Sequence, residues 1–145
     1  MLTSWRIAQA KNSMSAFDGE GAKRYPGRWN LKGTPVVYPA GSASLAALEL
    51  LVHLESADVL DSYVLIPVSY DKKLVKQIEK LPLNWKDFPA PPDTQLIGNS
   101  WAVKKESLIL AVPSAIIDIE LNFIINPLHP DMSKIKIGVP ISFKY

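Results

Sequence analysis

Gly27-Arg28-Trp29-Asn30-Leu31-Lys32-Gly33-Thr34-Pro35-Val36-Val37-Tyr38, with the apolar segment 43–54 that carries Glu49, is the stretch around which the chain is organised. An arginine sits between a glycine and a tryptophan. Residues 34–38 read as a strand, with Pro35 at its entry and Tyr38 at its end. There the Tyr38 ring would emerge at a sheet edge and could face a pocket. Trp29 either stacks on a ring or fills the core, and a tryptophan is more often core. Ser42 suits an N-cap, which predicts a helix over 43–55. Leu45, Leu48, Leu51, Val52 and Leu54 cover most of its circumference, so it reads as largely buried. Glu49 then has two readings. Inside an apolar segment a carboxylate must pair, hydrogen-bond or line a cavity. On a narrow polar face it would make a modest surface pair with His53 at i+4.

Upstream, Trp5-Arg6-Ile7-Ala8 reads as a short strand with Arg6 pointing opposite to Trp5 and Ile7. On pattern alone Arg6 is a solvated surface charge. Residues 11–26 read as a loop with a helical turn near 13–17. Gly19 and Gly21 within it would let backbone approach a ligand, a weak signal alone. Downstream, 62–69 reads as a strand and 72–81 as a short amphipathic segment with Leu74, Val75 and Ile78 on one face. Residues 81–95 are rich in proline and read as an ordered surface loop. Asp93 or Thr94 would cap a helix through Ile97, Trp101 and Val103. A buried strand spans 107–112. Residues 115–125 hold one or two more strands, with a turn at 120–122. Asn126-Pro127-Leu128-His129-Pro130 is a rigid turn, and 135–145 supplies a last strand.

The 145 residues suit one domain, 1–145, with a sizeable core. A net charge of +2 is too mild to argue for nucleic acid. With no cysteine and two separated histidines, His53 and His129, no metal site is expected. Neither a signal peptide nor a membrane-spanning run is legible, so the expected compartment is the cytoplasm. The absence of a dinucleotide-fold or Walker glycine fingerprint makes a resident hydride-carrying cofactor unexpected.

The motifs together resemble the RES-domain toxins of bacterial type II toxin–antitoxin pairs. The resemblance runs through Trp5-Arg6-Ile7, Phe17-Asp18-Gly19-Glu20-Gly21-Ala22, Gly27-Arg28-Trp29-Asn30 and Gly33-Thr34-Pro35-Val36-Val37-Tyr38. It continues in Ser44-Leu45-Ala46, Glu49-Leu50-Leu51-Val52-His53, Thr94-Gln95-Leu96-Ile97-Gly98, Trp101, Val112-Pro113-Ser114 and the Asn126 to Pro130 turn. The set covers nearly the whole chain in the family's order. Two departures are visible. Pro26 replaces the first of two glycines usual before Arg-Trp-Asn, and Gly98-Asn99-Ser100 replaces the usual Gly-Asp, so no role is carried onto Asn99.

The resemblance implies an α+β fold similar to the ADP-ribosyltransferase toxins, with a split mixed sheet and flanking helices around a cleft for NAD. NAD would be substrate, cleaved at the nicotinamide–ribose bond with water or phosphate as acceptor, or used to move ADP-ribose onto a protein. An Xre-type helix-turn-helix antitoxin would cover the cleft. A homodimer is compatible with it; direct nucleic-acid binding and membrane association are not expected. Nicotinamide is a cationic leaving group, so the step needs stabilisation of an oxocarbenium-like ribose more than acid catalysis, and a carboxylate supplies it. Glu49 is the candidate. Arginines suit a pyrophosphate through two-point contacts, and Arg6 and Arg28 are the candidates. Tyr38 would stack on nicotinamide or hold a ribose hydroxyl. Ser114, at a strand end after a proline, would bond the nicotinamide-side ribose or the amide. A catalytically inactive binding module is the reading from another class, and the joint presence of Arg6, Arg28 and Glu49 argues against it.

Overall fold

The computed structural model describes residues 1–54 and 57–143. Strands β1 (Leu2–Gln9) and β2 (Tyr63–Tyr70) pair antiparallel along their full length, from Leu2 opposite Tyr70 to Gln9 opposite Tyr63. Two short strands, β6 (Lys136–Ile137) and β7 (Ile141–Ser142), pair antiparallel with the other side of β2. Pro67 cannot donate to a ladder. It falls between the residues of β2 that pair with β6 and those that pair with β7, and its carbonyl accepts from Gly138 N at 2.8 Å. The last expected strand, 135–145, is therefore two pieces, and its final two residues lie outside the described ones.

A second sheet holds β3 (Val75–Gln77), β4 (Ile109–Pro113) and β5 (Leu121–Ile125), with β3 parallel and β5 antiparallel to β4. The sheet is thus split and mixed, as expected. Segment 37–41 joins the halves. Ala40 exchanges both backbone bonds with Trp5 at 2.8 Å, and Val37 does the same with Ile125 at 2.9 and 2.8 Å.

Period-two burial explains the layers. Val64, Ile66, Val68 and Tyr70 of β2 meet Ile109, Ala111, Phe123 and Ile125 of the second sheet in the main core. The alternate residues Leu110, Val112 and Ile124 pack against helix α3 (Pro92–Lys104) through Trp101 and Ala102, with Trp29 and Val36. This is why β4 reads as a continuous apolar run: both of its faces are covered. Helix α2 (Ala43–Leu51) packs Leu45 and Ala46 onto the far face of the first sheet, against Trp5, Ile7 and Leu65.

Several local expectations change. Residues 34–38 are not a strand. Only Val37 and Ala40 make isolated bridges, because the segment crosses between two sheets and extends neither. Helix α2 is capped by Ser42, whose Oγ accepts from Leu45 N at 3.1 Å, yet it ends at Leu51. Of its expected continuation, Glu55 lies outside the described residues. It is less buried than its leucines suggest, since one sheet face covers it and Leu48 and Val52 stay exposed. Residues 72–81 form a 3-10 turn, Lys72–Leu74, followed by β3, because pairing with β4 outweighs local amphipathicity. A helix α1 (Glu20–Arg24) stands in the stretch read as loop, and the turn expected at 120–122 comes earlier, Glu120 N donating to Ile117 O at 2.9 Å, while Leu121 and Asn122 open β5.

Candidate active site

Arg6 leaves β1 on the face opposite Trp5 and Ile7, as the strand period requires. That face is the main core and not solvent: Arg6 pairs with Ile66, between Ser4 and Ala8, which are buried. Its guanidinium is consequently tied to backbone, Nε donating to Ala16 O at 3.3 Å and Nη1 to Ile7 O at 2.5 Å. Burial lowers its pKa, and the charge of Asp18 works the other way. No ion pair within 4.0 Å joins either candidate arginine to an acid among the described residues.

Arg28 stands on a loop held from below by α3. Gln95 Nε2 donates to Gly27 O at 3.1 Å and Asn99 Oδ1 accepts from Leu31 N at 3.2 Å. Gly98 lets the helix backbone approach Trp29 so closely that a Cβ there would lie 1.9 Å from the Trp29 carbonyl oxygen. Trp29 is core, 3% exposed. Arg28 Nη1 donates to Trp85 O at 2.8 Å and Asp87 O at 2.7 Å, so it also grips the proline-rich loop. Burial lowers its pKa, against the favourable charges of Glu49 and Asp87.

Asn30 is the hub of this loop and is fully buried. Its Nδ2 donates to Ala22 O (2.8 Å), Thr34 O (3.1 Å) and Leu31 O (3.3 Å). Its Oδ1 accepts from Gly27 N (2.8 Å) and the Tyr38 hydroxyl (2.6 Å). The Tyr38 oxygen in turn accepts from Trp29 N at 3.1 Å. Burial raises the Tyr38 pKa, which keeps the phenol a donor. Asn30→Asp would aim a carboxylate at three carbonyls with no donor among them. It is expected to cost about 3 kcal/mol or more of stability, read in a denaturant melt. An unchanged midpoint would remove Asn30 from this role.

Glu49 points from α2 toward the second sheet. Its Oε2 accepts from Ser114 Oγ at 2.6 Å and Asn122 Nδ2 at 2.7 Å. The surface pair with His53 is not formed; His53 stacks on Phe88 with ring centroids 5.6 Å apart. Ser114 is fully buried, and its Oγ also accepts from Ile116 N and Ile117 N at 3.1 Å each.

Arg6, Arg28, Tyr38 and Glu49 all line one cleft of about 1400 Å³, with Asp18, Gly19 and Gly21 on its wall. Ser114 reaches the cleft through Glu49. Asn122 also lines it and was not legible beforehand, since a single asparagine in a strand carries no local signal. Among the described residues no group of three or more His, Asp or Glu is placed to hold a metal, and no helix is long and apolar enough to cross a membrane.

An α+β domain with a split sheet and a cleft that gathers Arg6, Arg28, Tyr38 and Glu49 defines the class. Residues 3–145 match the RES domain, and the chain belongs to that family. A protein named Toxin Res from Yersinia enterocolitica is 36% identical over 144 residues, covering 97% of this chain and 95% of its own length. A protein named Prs ADP-ribosylating toxin from a Sphingobium species is 38% identical over 144 residues, covering 94% and 89%. A chain in the crystal structure of the M. tuberculosis MbcT–MbcA toxin–antitoxin complex shares the fold. Its TM-score is 0.79 at 18% identity, over 99% of this chain and 84% of that one.

Proposed function

We propose that this chain is the toxin of a toxin–antitoxin pair and that it consumes NAD by cleaving the nicotinamide–ribose bond. The observation that carries the reading is the convergence of Arg6, Arg28, Tyr38 and Glu49, from four separate segments, on one cleft. That cleft is larger than the usual small-molecule pocket of about 300–1000 Å³ and suits an extended dinucleotide. The guanidinium groups hold the pyrophosphate. Tyr38 has its hydroxyl engaged by Asn30 and Trp29, so its ring is the part offered to nicotinamide. As the glycosidic bond breaks, its electron pair leaves with neutral nicotinamide and the ribose becomes cationic. The Glu49 carboxylate stabilises that cation until an acceptor attacks.

The acceptor is water or phosphate in the first reading. The relative named an ADP-ribosylating toxin favours a second, in which a protein side chain takes the ADP-ribose. An Xre-type helix-turn-helix antitoxin over the cleft is the proposed partner, in the cytoplasm. The exposed Tyr25 and Phe88 on the cleft wall give a protein cover apolar surface to bury. Purified protein incubated with NAD, with and without phosphate or cell extract, separates the acceptors by product. Intact NAD in every arm would overturn the reading.

Arg28→Lys is expected to raise the KM for NAD about tenfold while the melting temperature holds, since an ammonium loses the planar two-point contact. Unaltered kinetics in a folded variant would assign Arg28 to gripping the proline-rich loop alone. Arg6→Lys should lose more stability, because two of its nitrogens already bond partly buried backbone oxygens.

A further inference from the structure

A carboxylate on a helix can swing through several rotamers, and stabilising a cationic ribose requires one of its oxygens in one place. Both hydrogen bonds to Glu49 fall on the same oxygen, Oε2. Neither donor comes from α2. We propose that Asn122 is a positioning residue for the reaction: it pins Oε2 so that Oε1 is presented to the ribose. The inference rests on the NAD-cleaving reading above.

Asn122 is built to hold its amide still. It lies in β5 opposite Val112 of β4, and its other backbone edge bridges Ala40 on the segment that joins the two sheets. Strand β4 on one side and the crossing segment on the other thus fix its Cα. Only the amide nitrogen of an asparagine can donate, so the 2.7 Å bond to a carboxylate also sets which way the amide faces. Ser114 gives the second bond from beyond the end of β4. Its backbone N donates to Glu120 O at 2.9 Å, and its Oγ accepts from two turn amides, so its own hydrogen is directed at Glu49. Two donors from different segments converging on one oxygen leave the carboxylate little rotational freedom. A group that only neutralised Glu49 would not need them to share an atom.

Steady-state NAD cleavage and thermal melts of Asn122→Ala test the proposal beside wild type. Asn122→Ser is too short to reach Oε2 and reads the same quantities if the alanine variant melts early. The expected result is a kcat lower by about tenfold or more with the KM for NAD within about twofold. In a Glu49→Asp background, where the shortened side chain is withdrawn from Asn122, the same change should lower kcat by less than about twofold, because the pair acts as a unit. A raised KM with kcat intact would make Asn122 a direct substrate contact and overturn the proposal. An unchanged kcat, or the full loss repeated in the Glu49→Asp background, would overturn it too. Wild type that leaves NAD intact would instead defeat the broader reading. Wild type that cleaves NAD and depends on Glu49, but is indifferent to Asn122, defeats this inference alone.

Discussion

Glu49→Gln is expected to lower NAD cleavage on the order of a hundredfold or more while the protein stays folded. The glutamine oxygen can take the place of Oε2 and accept from both Ser114 and Asn122, so the bonds that tie α2 to the second sheet survive. The amide nitrogen then occupies the position of Oε1. It carries no negative charge and turns donor hydrogens toward a cation. The loss should appear in kcat, because the charge matters most when the ribose is cationic. Near-normal turnover by a variant with an unchanged melting temperature would take Glu49 out of the chemistry.

Gly98→Ala carries the largest expected effect on stability. The added methyl would meet Trp29 O at 1.9 Å and Trp29 C at 2.7 Å, both backbone atoms. No rotamer relieves that clash. Either α3 retreats from the second sheet, opening the packing of Trp101 and Ala102 on Trp29, Leu110 and Val112, or the loop that carries Arg28 moves. Overpacking of this kind costs about 3 kcal/mol or more. For a domain of this size that lowers the melting temperature on the order of 10 °C. A variant that melts like wild type would show that the approach of helix and loop is not tight. A partly stable variant should also bind NAD more weakly, since Arg28 neighbours the displaced residue.

Strand and helix identity was legible where the pattern was long. The 62–69 strand and the Ser42 cap follow from period and capping chemistry, and each exists within a few residues of its expected place. The helix around Trp101 exists too, but neither Asp93 nor Thr94 caps it: it starts at Pro92 with Pro91 as N-cap, and Thr94 Oγ1 donates back to Pro91 O at 3.1 Å. Within the crossing segment, 34–38 reads as a strand because Pro35-Val36-Val37-Tyr38 has strand composition. What makes it a connector is the presence of two separate sheets on either side of it, and no local propensity encodes that. Likewise 72–81 has a helical stripe but finds an open strand edge at β4, and the ladder prevails.

The candidate site divides in the same way. That arginine, tyrosine and glutamate were worth attention followed from residue chemistry and from the ordered motifs. The sequence by itself also determined that Arg6 leaves its strand on the side away from Trp5, because side chains alternate along a strand. Whether that side was water or core depended on where the second sheet packs, and tertiary structure decided for the core. Glu49 was open between a surface pair and a lined cavity for the same reason. Its partners, Ser114 and Asn122, lie 65 and 73 residues further along the chain. Helical periodicity places a carboxylate on a face of its own helix; only the packing of α2 over the seam of the split sheet brings two donors to one of its oxygens.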